Sequence, residues 1–501
     1  MIKYIVLLVI LAISCTSAQV KKECTWWLSY ESQFIDHTGT FQDPFARLSN
    51  AINAVFTSTA CPVDYDNSVP RYIYMITSET GVYKGVGNRE ISVSQPESAT
   101  FQIFVVPVDK GAVEAYPMQQ SQYYGVIDGE NTNGLLKISE LFPTLTFKGI
   151  YWKNGSSKQG STFGASIVVA GQTNSVNFDG CKFENLNGGK TGSIYFNAQS
   201  DSVINNCTFI NNSATGYGGV FYFPTSFSKI SLLASVFSGN KASVGGGSIY
   251  SSAYTLLIKN TQFKNGNAAK GGALYIEKSP RIADLVWDQL NFVNNMATDG
   301  GALYDHMSSI EYTNAVFTKN NATNGGACYF DTSTSVFSHS LFQENTAING
   351  GAVWTIDKSL KTAQLLIKLS NFNSNRAEIG GAMYCNASTS NLNTQNNYSM
   401  NYATPAKDNT TIDFCTSSCL TASAVCGCYS GCGIPPVPPK VITDTKETKI
   451  AIGIFLPVTA ILLGVVIFLL WKTNEKAKQK KANLNYDEIK LTIPDNSNDP
   501  L

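Results

Sequence analysis

The sequence predicts an all-β chain wound as a right-handed parallel β-helix, with a capping helix before it and one membrane-spanning helix after it. Three observations carry that expectation. A short phrase recurs: FVNNMATDGGALY at 292–304, FTKNNATNGGACY at 317–329 and FQENTAINGGAVW at 342–354. The text between the phrases is strand-like and punctuated by glycine, without a long helical period. The middle of the chain is flanked by two apolar, uncharged segments, one at each end.

Taken in order, residues 1–18 hold Lys3, an apolar run and the small residues Thr16 and Ala18. That is the form of a secretory signal peptide cut after Ala18, with a lipobox at Cys15 as the alternative. Residues 19–70 read as an N-terminal cap. Within 38–56, Asp43 stands as a helix cap with Pro44 at the first helical position, and Phe45, Leu48, Ile52 and Val55 share one face.

The β-helix is expected over 71–404, with the clearest repeats at 178–385. Eight phenylalanines anchor it: Phe183, Phe209, Phe237, Phe263, Phe292, Phe317, Phe342 and Phe372, at intervals of 25 to 30 residues. Periods of this length mean stacked supersecondary units. Two positions before each phenylalanine the residues are mostly small, from Cys181 and Cys207 to Ser340 and Ser370. Alternation along a strand puts both columns on one face, which makes that face the core. Three positions after the phenylalanine, Asn212, Asn240, Asn295, Asn320, Asn345 and Asn375 recur, suited to left-handed turns and to hydrogen bonds with neighbouring coils. A glycine pair follows as a corner. An apolar residue and then an aromatic close each unit: Tyr195, Tyr222, Tyr250, Tyr275, Tyr304, Tyr329, Trp354 and Tyr384. No unit buries its own face, so stacking makes the core.

FxxN followed by GGA-apolar-aromatic resembles the repeats of the chlamydial polymorphic membrane proteins. It is also similar to repeats in pectin-lyase-like right-handed β-helix proteins, including protist surface proteins. The match covers 183–384. GVYKGVGNREISV at 81–93 and GVIDGEN at 125–131 look like opening coils of such helices. The resemblance implies a β-helix displayed at a surface and a role in adhesion. The chlamydial proteins end in an outer-membrane barrel, whereas this chain ends in one apolar segment, so their route to the surface is not implied.

Residues 405–449 read as a stalk. Cys415, Cys419, Cys426, Cys428 and Cys432 suggest a small disulfide knot, and IPPVPPK an extended spacer. Cys24 and Cys61 are candidates to staple the cap. Cys181 and Cys207 fall in one inward column of adjacent coils and are expected to bond, or at least to touch. Residues 450–471 are 22 without a charge, long enough to span a bilayer, and five lysines follow at once. This predicts a single-pass type I protein, integral in the plasma membrane or an endomembrane, with its N-terminus extracellular or lumenal. The tail 472–501 carries Tyr486 and Ile489 in YDEI, the form of an endocytic adaptor signal, weighed evenly against a plain solvated tail.

Seven sequons stand between the two apolar segments: Asn154, Asn206, Asn211, Asn321, Asn386, Asn397 and Asn409. Lys+Arg and Asp+Glu balance at 36 each, and charged residues make up only 14%, so no nucleic-acid partner is expected. No metal, cofactor or catalytic set is assigned. Asp284, Asp288, Asp299, Asp305, Asp331 and Asp357 share no column, and His37, His306 and His339 read as solvated loop residues. The expected partners are glycans or the surface proteins of other cells. A membrane-tethered polysaccharide lyase or glycoside hydrolase is the alternative, to be recognised by acids converging on one exposed patch. The aromatic column is read as stacking in or beside the core, against the alternative of an outward ladder for sugar rings.

Overall fold

The computed structural model describes residues 24–32, 38–57, 70–93, 101–109, 121–138, 144–157, 164–170, 175–198, 200–225, 228–253, 255–279, 286–356, 365–386, 391–392, 396–403 and 414–416. Three long sheets of 13, 12 and 12 strands lie side by side. A coil visits them in turn. In one coil Ser202–Asn205 belongs to the first sheet, Thr208–Ile210 to the second and Phe221–Phe223 to the third. Each pairs in parallel with its counterpart in the following coil, Ile230–Leu233, Val236–Ser238 and Ile249–Ser251. This is a parallel β-helix of the right-handed type.

The repeat columns become stacks. Phe183 pairs with Phe209, Phe209 with Phe237 and Phe292 with Phe317. Ring centroids from Phe183 to Phe372 lie 4.4 to 5.1 Å apart, close to the spacing of hydrogen-bonded strands. Trp152 continues the column at one end and Tyr398 at the other. The small column is buried throughout, from Cys181 and Cys207 to Ser340 and Ser370. Phenylalanine needs that neighbour to be small, because both side chains project into the same lumen.

The asparagine column divides its expected work. Its side chains are buried and link coils: Asn295 Nδ2 donates to Asn320 Oδ1 at 3.0 Å, and Asn320 Nδ2 to Asn345 Oδ1 at 3.0 Å. Each amide also reaches a backbone carbonyl, as Asn320 Nδ2 does at Phe292 O. The left-handed turn, however, belongs to the preceding residue: Asn211, Asn265, Asn294 and Lys319 have φ between 53° and 57°. The reason is geometric. The turn residue must point outward, and the ladder residue inward. At the corner, Gly300 has φ 66°, and a Cβ on Gly301 would overlap the carbonyl oxygen of Gly326. The first glycine answers a conformation and the second a close approach.

The N-terminal region departs from expectation in two ways. The helix spans Leu48–Thr57 rather than starting at Pro44. Asp43 does not cap it; Asp43 Oδ2 accepts from the Thr38 N–H and hydroxyl. Asn88, 40 residues on, accepts from the Leu48 N–H at 2.8 Å and is the cap. The predicted face holds, since Leu48, Ala51, Ile52 and Val55 are buried in the main core. The first sheet also begins earlier than 71: Cys24–Ser29 pairs along Arg71–Thr77. At the other end Phe414–Thr416 pairs with Met383–Asn386, beyond 404.

Cys181 and Cys207 sit in the inward column as expected but are free thiols. This corrects the expected bond. Residues related by one coil carry parallel Cα–Cβ vectors, so their Cβ atoms stay about 4.8 Å apart, beyond the ~3.8 Å a disulfide prefers. The two thiols interact, and each also donates to backbone carbonyls, Cys181 to Phe147 O and Cys207 to Asn205 O. Cys24 is buried. Cys61, Cys419, Cys426, Cys428 and Cys432 lie outside the described residues, and of Cys415 only the strand is described. The segments 1–18, 450–471 and 472–501, with Tyr486 and Ile489, also lie outside. Among the described residues no helix is long and apolar enough to cross a membrane.

Candidate functional site on the outward faces

The aromatic column stands on the outward face of the third sheet. In Ile194–Phe196 and Phe221–Phe223 the outer residues of each triplet are buried in the lumen and the central tyrosine is half-buried on the other side. The eight rings form an unbroken ladder. Tyr222 and Tyr250 stack at 4.9 Å, Tyr304 and Tyr329 at 5.0 Å, and Trp354 lies 4.4 Å from Tyr384. Tyr250, Tyr275, Tyr304 and Tyr329 are nonetheless only 3 to 8% exposed, in a hydrophobic cluster separate from the main core.

Two flanking columns explain that cover. The residue before each glycine pair forms a bridged row, including Tyr217, Gly245, Lys270, Asp299 and Asn324. Tyr217 packs 4.8 Å from Tyr250, and the Lys270 ammonium lies 4.8 Å from the Tyr304 ring centre. On the opposite flank Glu277, His306, Asp331 and Ile356 are in register. The Tyr250 hydroxyl donates to Glu277 Oε2 at 2.6 Å, and that of Tyr304 to Asp331 Oδ2 at 3.2 Å. Burial first, then the neighbouring carboxylates, push both phenols upward, so they remain protonated donors at neutral pH. The ladder therefore faces outward and is sealed over its middle, Tyr250 to Tyr329, where neighbouring rings and the flanking columns leave little to a sugar, while Tyr195, Tyr222, Trp354 and Tyr384 at its ends stay half-buried.

His306 is not a loop residue. It ends the strand Leu303–His306, partly buried, with Nδ1 3.4 Å from Asp331 Oδ2. His339 is exposed in a turn with φ 52°, and His37 lies outside the described residues. The acids take unrelated places. Asp305 is in the lumen, where Ser333 and Ser335 hydroxyls donate to it at 2.9 and 2.7 Å. Asp331 is buried beside the ladder, Asp299 is at the corner, and Asp288 is outward on the first sheet. Asp284 and Asp357 lie outside the described residues. Among the described residues, groups of histidine, cysteine and acids suited to hold a metal are absent.

The first sheet presents a different outer surface. Tyr72, Phe104, Thr146, Asn177 and Val203 form one outward column, and Lys148, Asp179, Asn205 and Leu233 the next. Between them lies an open cleft of about 480 Å³, lined by residues from Phe104 to Leu233. Asn205 Nδ2 donates to Asp179 Oδ1 at 3.0 Å, and Asn177 Oδ1 accepts from the Val203 N–H at 2.8 Å. Each carboxylate oxygen and amide group has more hydrogen-bonding capacity than these contacts use. At the N-terminal end the half-buried rings of Phe104 and Tyr72 stack at 5.3 Å, beside the buried pair Trp27 and Tyr74, 5.0 Å apart. No repeat or motif marks these residues in the sequence. The available signal was the alternation in VNFD at 176–179, whose polar members had to face outward.

Of the sequons, Asn206, Asn211, Asn321 and Asn397 are exposed, and Asn154 is partly buried with its amide on Asp128 Oδ1 at 3.0 Å. Asn386 ends the strand Met383–Asn386 of the third sheet, and Asn409 is outside the described residues.

The fold and its columns define a pectin-lyase-like parallel β-helix. Residues 206–224 and 234–252 match the Chlamydia polymorphic membrane protein repeat. No curated protein matches the chain. Among solved structures, the GH136 lacto-N-biosidase of Eubacterium ramulus overlaps at 10% identity and TM-score 0.31, over 79% of this chain and 67% of that one. The pectate lyase Pel9A overlaps at 10% identity and TM-score 0.26, over 78% of this chain and 83% of that one. These overlaps are loose, and the fold stands on the strand register itself.

Proposed function

We propose that the chain is a single-pass type I surface glycoprotein whose β-helix recognises glycans through the first-sheet cleft. The cleft is the observation that supports this reading. It joins amides and a carboxylate, which bracket hydroxyl groups, to the half-buried ring of Phe104, which offers an apolar face to a sugar ring, the mixture expected of a small-molecule site. The repeat match and the apolar segment at 450–471 support display at a membrane surface. The cleft is lined by one carboxylate, Asp179, whereas glycoside hydrolysis ordinarily uses a pair, so recognition is the reading it supports better than turnover. The test is a glycan array probed with purified full-length chain in detergent, with product formation followed on every ligand retained. Selective retention without cleavage supports recognition. Cleavage of a retained glycan establishes the tethered enzyme instead, and retention of none removes the proposal.

A further inference from the structure

Two columns of left-handed turns flank the second sheet. Between first and second sheets stand Gly180, Asn206, Ala234, Asn260 and Asn314, with φ between 47° and 60°. After the second-sheet strands stand Asn185, Asn211, Gly239, Asn294 and Lys319, with φ between 53° and 68°. Left-handed backbone explains asparagine at 206 and 211. It does not explain the hydroxyl two residues on, which a glycosyltransferase requires; that of Ser213 also donates to Asn187 Oδ1 at 2.7 Å, while Thr208 is an outward strand residue. Asn321 lies outside the turn columns, exposed beside the second sheet, and Asn397 begins the strand Asn397–Ser399 of that same sheet, also exposed. The outward columns of the first sheet, from Tyr72 and Phe104 through Asn177 and Asp179 to Lys259, hold no sequon.

We propose that N-linked glycans at Asn206, Asn211, Asn321 and Asn397 cover the second-sheet side of the coil and leave the first-sheet face bare for contact. An N-glycan is a bulky hydrated group. On the first sheet it would fill the cleft; Asn206 stands at the corner beside Asn205, whereas Asn211, Asn321 and Asn397 stand on or beyond the second sheet. The sidedness also removes one face of a long exposed β surface from association with other chains. The assignment of contact to the first sheet rests on the proposed function, but the glycan positions do not.

The test is site mapping on the full chain produced in a eukaryotic secretory host. Peptides are released with an N-glycosidase in heavy-oxygen water, which marks each formerly occupied asparagine. The expected result is marking at all four positions. A folded, secreted chain with none of them marked overturns the proposal. A combined variant, Thr208→Val, Ser213→Ala, Thr323→Ala and Ser399→Ala, removes the sequons while keeping each turn asparagine. It should lose the glycans and hold array binding within about twofold. A larger gain or loss of binding, in a variant whose circular dichroism and melting match the parent, overturns the sidedness. Single variants serve the same readout if the combination does not fold. If no array ligand exists, the proposed function fails and the mapping still decides where the glycans sit.

Discussion

The outward faces of the third and first sheets are built on the same coil and end up opposite in kind. On the third sheet eight successive coils offer an aromatic at the same position, so ring meets ring from Tyr195 to Tyr384 and the surface closes on itself over the middle four, Tyr250 to Tyr329. On the first sheet the equivalent column changes from Phe104 to Thr146, Asn177 and Val203. Such unlike side chains do not stack, and a cleft stays open. Repetition seals a surface and variation leaves it available. The features that make a repeat conspicuous are thus the least available for binding.

That contrast can be broken by stability measurements. Phe292 stands in the lumen, fully buried between Phe263 and Phe317. Phe292→Ala should cost about 3–5 kcal/mol in denaturant unfolding, and a loss below about 1 kcal/mol would place that column outside the core. Asn320→Ala strands the Asn295 amide and N–H that meet its oxygen, for an expected loss of about 1–3 kcal/mol. Tyr304→Phe removes one hydroxyl bond to Asp331 while keeping the ring in its ladder, for about 0.5–1.5 kcal/mol. Asn177→Ala in the cleft should change stability by no more than about 0.5 kcal/mol. A cleft residue as costly as Phe292 would mean that the cleft is scaffold too.

Asp305 adds a pH signature from the lumen. Burial raises its carboxyl above the ordinary range, against the hydroxyls of Ser335, Ser333 and Ser308, which favour the charged form. A folded-state value above the unfolded one gives stability that is complete below the unfolded value and is lost as pH rises through the folded one. The melting temperature of the parent chain should therefore carry a decline on going from acid toward neutral pH that is absent in Asp305→Asn. Parallel pH profiles for the two chains would show that Asp305 is not the source.

How much of this was legible followed from repetition. Columns that recur declare themselves by comparison within one chain: the Phe183–Phe372 stack, the small inward column, the corner glycines and the asparagine ladder. Features made once do not. The helix cap comes from Asn88, 40 residues past Leu48, and no local pattern announces it. His306 looked like a loop residue because the repeat ends at the aromatic, while in this coil the strand runs two residues further. The cleft draws on Thr144–Lys148, Val176–Asp179, Ser202–Asn205 and Ile230–Leu233, which share alternation but no motif. Alternation told which residues face outward, and only the fold showed that they meet. The aromatic column had the right spacing for either face, since alternation fixes direction while stacking fixes exposure.

The most direct test sets the two faces against each other in one binding assay. A glycan retained on the array is titrated calorimetrically against the parent chain, an Asn177→Ala/Asn205→Ala double variant and Tyr304→Phe. The account predicts that the double variant weakens binding at least about tenfold, or ~1.4 kcal/mol, while Tyr304→Phe binds as the parent does. Loss of binding in Tyr304→Phe with the double variant unaffected would contradict it and return the ligand to the tyrosine ladder.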